Sequence, residues 1–268
     1  MKKSDIEEIV DYIMKNNNIK NFKIQKYYQL KWFLKALKND DYTFQKPSTW
    51  DDPFEDFISK LTNNHKEAYV NEIHITDWIY AMSTIRKNSE CDGMWKNFAK
   101  SSGVIIHTNT KKLITSLVRS LIDNDCCNSD IFLNDFDVQQ LTNNIKIEKI
   151  EYITDSQIAD LFIHATKTNN IDFQKFQFKS LSFKRKEYEN EYRVFLIPKL
   201  LSLNETHYLN IGYFIETIEK VVLSPKANDL RISRLNTLLT KKYNISPKII
   251  TKSKLHDIDN FKQEYRLS

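Results

Sequence analysis

Glycine is the residue whose scarcity most limits what this chain can fold into. Of 268 residues only three, Gly93, Gly103 and Gly212, are glycine. The phosphate-binding loops of P-loop and dinucleotide-binding folds need several glycines close together, because the backbone must approach the phosphates without a side chain between. No such motif can be written with these three positions, so both classes of nucleotide-binding protein are excluded.

Composition favours a folded protein with a substantial core. The hydrophobic fraction is 41% and the aromatic fraction 12%, which is unlike the composition of a disordered chain. The formal net charge is +5. A mildly basic protein of this kind permits a nucleic-acid partner without requiring one.

The cysteines and the first residues indicate a cytoplasmic protein. The chain has three cysteines, Cys91, Cys126 and Cys127. An odd number cannot all pair in disulfides within the chain, and the spacing is not that of zinc ligands, which fits a reducing compartment. The segment MKKSDIEEIVDYIM carries acids where a signal peptide would carry an apolar run. No segment approaches the ~18 apolar residues that a membrane helix needs, so we expect no membrane partner.

Hydrophobic periodicity predicts an α+β fold. Residues 110–122 have the apolar spacing of an amphipathic helix, whereas residues 192–197 read as a buried strand. We predict a single domain over residues 1–268, with a mixed or antiparallel central sheet and helices inserted between its strands. Residues 1–25 are expected to form an N-terminal helical extension, and residues 124–145 a polar insertion.

The segment KEYENEYRVFLIP, residues 186–198, places Glu189 and Glu191 one residue apart at the start of an apolar strand. Because alternate side chains of a strand point to one face, both carboxylates and Arg193 would point the same way. Two interpretations stay open. The acids either form a solvated strand edge paired with nearby cations, or Glu191 stabilises a developing cation or acts as a general base while Glu189 orients a nucleophile.

Three further segments carry candidate groups. Ser83 and Thr84 end an apolar strand and are either a polar strand terminus or a hydroxyl pair that hydrogen-bonds a ligand or a second catalytic element. The turn WDDPFED either caps a helix through Asp51 or Asp52, or forms a ligand-facing or metal-binding carboxylate cluster. The segment KYYQLKW, which begins at Lys26, carries aromatic and basic groups that either pack or stack on bases.

Several of these segments, taken in order, resemble an uncharacterised bacterial family, a domain of unknown function. Its pattern runs from Lys-Tyr through an (N/D)-D-P-F-E turn, an F-S strand and an M-W-x-x-Y-A helix to a glycine, and then to a late W-x-x-E-x-E-Y-R. The positions that fit this pattern are Lys26-Tyr27, Asp51 to Glu55, Ser83, Met94-Trp95 with Phe98-Ala99, Gly103 and Glu189 to Arg193. The resemblance covers roughly residues 26–225 and suggests a bacterial toxin or phage-defence effector.

The chain is also similar to the ADP-ribosyltransferases. The similarity lies in the order of a basic residue near a first strand, Ser-Thr on a middle strand and a late E-x-E. It implies that NAD is the substrate, that no metal is required, and that Glu191, with Glu189 as its partner, holds the nicotinamide ribose as the glycosidic bond breaks. The ADP-ribose would pass to water or to a protein or nucleic-acid acceptor.

The same similarity implies which residues bind the dinucleotide. Lys26 or Tyr27 stands at the position of the first-strand arginine that grips the phosphates, where lysine can serve as a point charge. Ser83 and Thr84 would brace the site from the middle strand. Arg193 joins this predicted nucleotide-binding set because it points the same way as Glu191 and would keep that carboxylate charged.

Two alternatives from other functional classes stay open. One is a metal-dependent nuclease, which the mildly basic charge would suit. Its predicted magnesium ligands are Asp52, Glu55, Glu189 and Glu191. The other is a non-enzymatic module that binds a nucleotide or a partner through the aromatic and basic groups of residues 26–32 and 184–193.

Overall fold

A computed structural model of the chain shows where most of these segments lie. The described residues are 3–50, 79–86, 90–124, 135–166, 181–184, 190–197 and 207–256. The predicted turn at residues 51–55, the cysteines Cys126 and Cys127, and Glu189 lie outside the described residues.

The helices and strands of the described chain are numbered here in chain order. The helices are α1 (Lys3–Asn16), α2 (Leu30–Asn39), α3 (Asp92–Met94, continued by a π-helix over Trp95–Ala99), α4 (Thr110–Asn124), α5 (Asp135–Asn144), α6 (Asp155–Thr166), α7 (Phe214–Thr217) and α8 (Asp229–Tyr243). The strands are β1 (Lys23–Tyr28), β2 (Tyr42–Gln45), β3 (Tyr80–Ile85), β4 (Val104–Asn109), β5 (Ile145–Lys149), β6 (Glu151–Tyr152), β7 (Phe183–Lys184), β8 (Glu191–Leu196), β9 (Tyr208–Ile211), β10 (Lys220–Leu223) and β11 (Ile250–Lys252).

The chain forms two compact units, each built from separate stretches of sequence. Unit 1 comprises Met1–Ile19, Thr43–Ile85 and Ile122–Ile211. Unit 2 comprises Lys20–Tyr42, Arg86–Leu121 and Gly212–Ser268.

The strands of unit 1 follow the order β9-β2-β3-β8-β5, and β8 pairs antiparallel with both β3 and β5. Because β8 has neighbours on both sides, it is a central strand, and its sequence EYRVFL is buried at every position except Tyr192. One face of the sheet packs Ile79, Ala81 and Phe195 against Leu181. The core predicted for residues 192–197 is therefore present.

The N-terminal helix α1 belongs to the core of unit 1. Its apolar positions Ile9, Val10, Ile13 and Met14 are buried at helical spacing. The chain that follows is fixed by Asn17, whose side-chain amide donates to the backbone carbonyls of Thr142 and Ile145 at 2.8 and 2.9 Å. The predicted N-terminal extension is thus helical over Lys3–Asn16, and β1 begins at Lys23.

The strands of unit 2 follow the order β11-β10-β4-β1, with β10–β11 parallel and the other two pairings antiparallel. Four aromatic rings pack edge-on or tilted beside this sheet. Phe214 contacts Tyr28, Phe33 and Tyr42 at ring-centre distances of 5.8, 6.2 and 5.0 Å. Burial raises the pKa of the Tyr28 and Tyr42 hydroxyls, so both side chains remain neutral members of the core.

A π-helix covers the other face of the unit 2 sheet. Trp95 and Ala99 pack on Ile105 and Val222. The sequence pattern predicts Phe98 on the same side as Met94 and Trp95, and this is wrong, because Phe98 is 44% exposed. A π-helix closes its hydrogen bonds over five residues instead of four, so the α-helical spacing no longer describes which positions face inward.

Gly103 makes the connection between this π-helix and β4. A Cβ atom at this position would lie 2.2 Å from the carbonyl oxygen of Tyr28 and 2.3 Å from that of Ala99. No side chain can occupy that space, so the close backbone approach requires glycine.

Helices and strands are both present, and parallel and antiparallel pairings occur together. The predicted α+β class with a mixed sheet is confirmed. That residues 1–268 form a single domain stays a prediction. None of the helices within the described ranges is long and apolar enough to cross a membrane.

His107 is a half-buried histidine of β4 that lies opposite Gln25 on β1 and Lys220 on β10. Burial lowers the pKa of its imidazole to about 4, and the positive charges of Lys220 and Lys23 act in the same direction. The neighbouring Glu219 carboxylate opposes the shift. The folded protein therefore holds a neutral imidazole at pH values where the unfolded chain binds a proton.

We predict that this histidine makes the protein less stable in acid. Between about pH 6.5 and pH 4 the unfolded chain binds one more proton at this site than the folded chain, so the free energy of unfolding falls as the pH is lowered through that window. The loss should be about 1–2 kcal/mol, after allowing for solvent screening at a half-buried ring. Urea unfolding between pH 7 and pH 4 should show it in the wild type and not in His107→Gln. His207→Gln, at an exposed histidine, should keep the wild-type pH dependence, and an unchanged dependence in His107→Gln would contradict the assignment.

Candidate functional site

The candidate site is built on the pairing of β3 with β8 in unit 1. The register places Ser83 opposite Arg193 and Ile85 opposite Glu191. Because side chains alternate along a strand, Ser83, Glu191 and Arg193 all lie on the face that also carries Ile79 and the rest of its apolar cluster. The sheet geometry alone thus brings a hydroxyl, a carboxylate and a guanidinium together.

Glu191 is held by two donors on one of its oxygens. The hydroxyl of Ser83 donates to Oε1 of Glu191 at 2.7 Å, across the two strands. The Nε of Arg193 donates to the same oxygen at 3.1 Å. Glu191 is 2% exposed and Arg193 1% exposed, so this is a buried ion pair, and both contacts stabilise the charged form of the carboxylate.

Arg193 is fixed by contacts beyond the ion pair. Its guanidinium lies over the ring of Trp50, with 4.3 Å from the guanidinium carbon to the ring centre. One of its terminal nitrogens donates to the backbone carbonyl of Leu181. A planar guanidinium with an aromatic face below it and acceptors at its edge has few orientations left, so the position of the Glu191 carboxylate is set as well.

Ser83 is the member of this group that faces solvent. Ser83 is exposed, whereas Glu191 and Arg193 are buried. A molecule approaching this face of the sheet would therefore meet the serine first and the Glu191 carboxylate directly behind it. Ser83, Glu191, Arg193 and Trp50 together form what we call the carboxylate site.

Thr84 does not reach the carboxylate site. It is buried on the opposite face of β3, and its hydroxyl donates to the backbone carbonyl of Tyr192 at 3.1 Å. The structure therefore separates the Ser-Thr pair, because neighbouring residues of a strand point to opposite faces.

Lys26 and Tyr27 lie on β1 in unit 2. The Lys26 ammonium is 5.3 Å from the ring centre of Tyr28. The Tyr27 hydroxyl accepts a hydrogen bond from the backbone N–H of Cys91 at 3.3 Å, and its ring meets Trp95 edge-on at 5.4 Å. Tyr27 is thus part of the packing under the π-helix, while the phosphate contact predicted for these two residues stays a prediction.

The predicted magnesium ligands Asp52, Glu55 and Glu189 lie outside the described residues. The remaining one, Glu191, shares its Oε1 with the guanidinium of Arg193. A divalent cation at that oxygen would face a fixed positive charge, which disfavours binding. In the part of the chain that the structure describes, no three acidic, histidine or cysteine side chains are grouped as metal ligands.

Sequence reasoning missed Trp50 and Leu181 as parts of the site. Trp50 is the first residue of the WDDPFED segment, and its sequence position gave no sign that it stacks on an arginine of a distant strand. Leu181 contributes a backbone carbonyl, which any residue type could supply. The only available signal was the spacing of Glu191 and Arg193, which puts opposite charges on one face of a strand.

No protein-family model matches the chain, and no curated protein and no solved structure shows significant similarity to it.

We predict that the ion pair is sensitive to the loss of its cation alone. Arg193→Met leaves a buried carboxylate beside an apolar side chain, which should cost about 3–5 kcal/mol of unfolding free energy. Adding Glu191→Gln removes that charge and should recover part of the loss. Urea unfolding of the wild type, the single variants and the double variant measures both effects.

An exposed ion pair provides the matched control. Arg119 forms a salt bridge with Glu216 at 3.0 Å on the surface of unit 2, so Arg119→Met should change stability by no more than about 0.5 kcal/mol. If Arg193→Met costs no more than Arg119→Met, Arg193 does not compensate a buried charge.

Proposed function

We propose that the protein is an ADP-ribosyltransferase-like enzyme that breaks the glycosidic bond of NAD at the carboxylate site. The observation that supports this most directly is the hydrogen bond of 2.7 Å from the Ser83 hydroxyl on β3 to the Glu191 carboxylate on β8. It joins the middle-strand serine to the second acid of the E-x-E segment, the two residues that the similarity to this class of enzyme pairs.

Cleavage of this glycosidic bond is favoured by a negative charge held next to the nicotinamide ribose. As the bond between ribose C1′ and the nicotinamide nitrogen breaks, its electron pair stays on that nitrogen and nicotinamide leaves neutral. The ribose becomes an oxocarbenium-like cation. A nucleophile, water or a group on an acceptor molecule, then bonds to C1′ and loses its proton. A carboxylate that is already charged and oriented stabilises the cation without reorganising during the reaction.

The residues of the carboxylate site fit distinct parts of this task. Glu191 supplies the negative charge, and Ser83, at the solvent-facing side, would orient a ribose hydroxyl against it. Arg193 is buried behind them and touches Glu191 and Trp50. In this proposal Arg193 is therefore a positioning residue, in place of the nucleotide contact predicted from the sequence.

The cost of this arrangement is that the guanidinium offsets part of the carboxylate charge. The Nε of Arg193, which is itself buried, lies 3.1 Å from Oε1 of Glu191. Ser83 contacts the same oxygen from the exposed side. We propose that substrate binding over Ser83 excludes water and so strengthens the field of the carboxylate at the ribose. The products, nicotinamide and a transferred or free ADP-ribose, are consistent with a toxin or defence role.

We predict that the purified protein releases nicotinamide from NAD in a Glu191-dependent manner. Glu191→Gln keeps the size of the side chain and one acceptor oxygen but removes its charge, and should lower the rate by about 100-fold or more. Ser83→Ala should lower it by about tenfold, since one hydrogen bond to a charged group is lost. Chromatographic measurement of nicotinamide gives the rates, and a parallel reaction with biotin-labelled NAD and a bacterial extract tests for transfer to protein or nucleic acid.

Two controls separate catalysis from folding. Glu216→Gln removes an exposed carboxylate of unit 2 and should leave the rate unchanged. Circular dichroism and urea unfolding identify any variant that does not fold, and only folded variants enter the comparison. If the wild type neither releases nicotinamide nor labels an acceptor, or if folded Glu191→Gln retains the wild-type rate, the proposed function is wrong.

A further inference from the structure

A groove between α2 and α8 of unit 2 has no role in the proposed reaction. Its volume is about 370 Å³. Leucines make up most of its lining, and arginines most of the rest. The lining residues are Leu30, Leu34, Asn228, Leu230, Arg231, Arg234, Leu235 and Leu238.

The floor of the groove is apolar and its edge reaches solvent. Leu235 is buried, and Leu34 and Leu238 are partly buried. At the edge Leu230 is 60% exposed. An apolar floor that opens to solvent beside an exposed leucine is characteristic of interaction surfaces.

The charged residues that line the groove are both arginines. Arg231 and Arg234 line it directly and are exposed. Both helices are rich in cations. The acidic residue in their sequences is Asp229, in the first turn of α8. The cations of the two helices are Lys31, Lys35, Lys38, Arg231, Arg234, Lys241 and Lys242. A molecule that fills the groove must therefore bring apolar groups for the floor and negative charge for the edge.

We propose that this groove binds an acidic amphipathic helix of a partner protein. The leucines repeat at helical spacing on each wall, since Leu30 and Leu34 are four residues apart and Leu235 and Leu238 three. A partner helix with apolar residues at i, i+3 or i+4 and i+7 can place them between these rows. Its acidic residues would then meet Arg231 and Arg234.

The shape of the groove favours a helix over other anionic ligands. A single acyl chain would lie exposed along the open edge at Leu230, whereas a helix turns its own polar face to solvent. A flat membrane surface does not enter a concave groove. A single-stranded nucleic acid would find cations, but its bases would find leucines where stacking needs aromatic rings.

The test is a selection from a phage-displayed library of random peptides long enough for about four helical turns. The full-length protein is the bait, and Leu230→Glu is the counter-selection bait. We expect enriched peptides to be acidic, to carry apolar residues at i, i+3 or i+4 and i+7, and to become helical on binding. Their synthetic versions should bind the wild type with an affinity that falls as salt is raised.

Variants locate the binding surface. Leu230→Glu, and separately Arg231→Gln with Arg234→Gln, should each weaken peptide binding about tenfold or more. The matched controls are Leu255→Glu at another exposed leucine of unit 2, and Arg119→Gln at an exposed arginine outside the groove. Both controls should bind as the wild type does.

Several outcomes would overturn the proposal. They are the absence of any peptide that prefers the wild-type bait to Leu230→Glu, enrichment of basic or extended peptides, and equal binding to the groove variants and the controls. Groove-dependent binding of anionic phospholipid vesicles, of single-stranded DNA or of a second copy of this chain, without peptide binding, would assign the groove to that partner instead. None of these results depends on whether the protein cleaves NAD.

Discussion

The buried ion pair between Glu191 and Arg193 is the constraint on which the centre of unit 1 depends. Two charges removed from water are tolerable only if each is matched by close partners. Here the partners come from separate parts of the chain, since β3 supplies the Ser83 hydroxyl, Leu181 a backbone carbonyl and Trp50 an aromatic face. The pair therefore fixes how these parts meet. Its main effect is a defined geometry, since a buried ion pair adds little net stability.

Local periodicity made much of the fold predictable. The strand over residues 192–197 and the helix that begins at Thr110 are recognisable because burial repeats with the period of each element. The same rule placed Glu191 and Arg193 on one face of a strand. It also implies that only one of Ser83 and Thr84 can face them, which the predicted hydroxyl brace did not take into account.

The features that sequence reasoning missed depend on contacts between distant residues or on irregular backbone. The stacking of Trp50 on Arg193 joins residues far apart in the chain. The π-helix over Trp95–Ala99 breaks the spacing from which the side of Phe98 was inferred. The groove between α2 and α8 is formed by helices from opposite ends of the sequence, so neither amphipathic pattern alone reveals it.

Gly103 links the scarcity of glycine to the architecture of unit 2. The carbonyl oxygens of Tyr28 and Ala99 converge on its α-carbon, where even a methyl group would collide with them. Gly93 is not crowded in this way, because a Cβ atom there would meet its nearest neighbour, the Sγ of Cys91, at 3.8 Å. Any other sequence that adopted this junction would meet the same steric limit, so glycine here is a criterion of the backbone geometry itself and independent of the surrounding side chains.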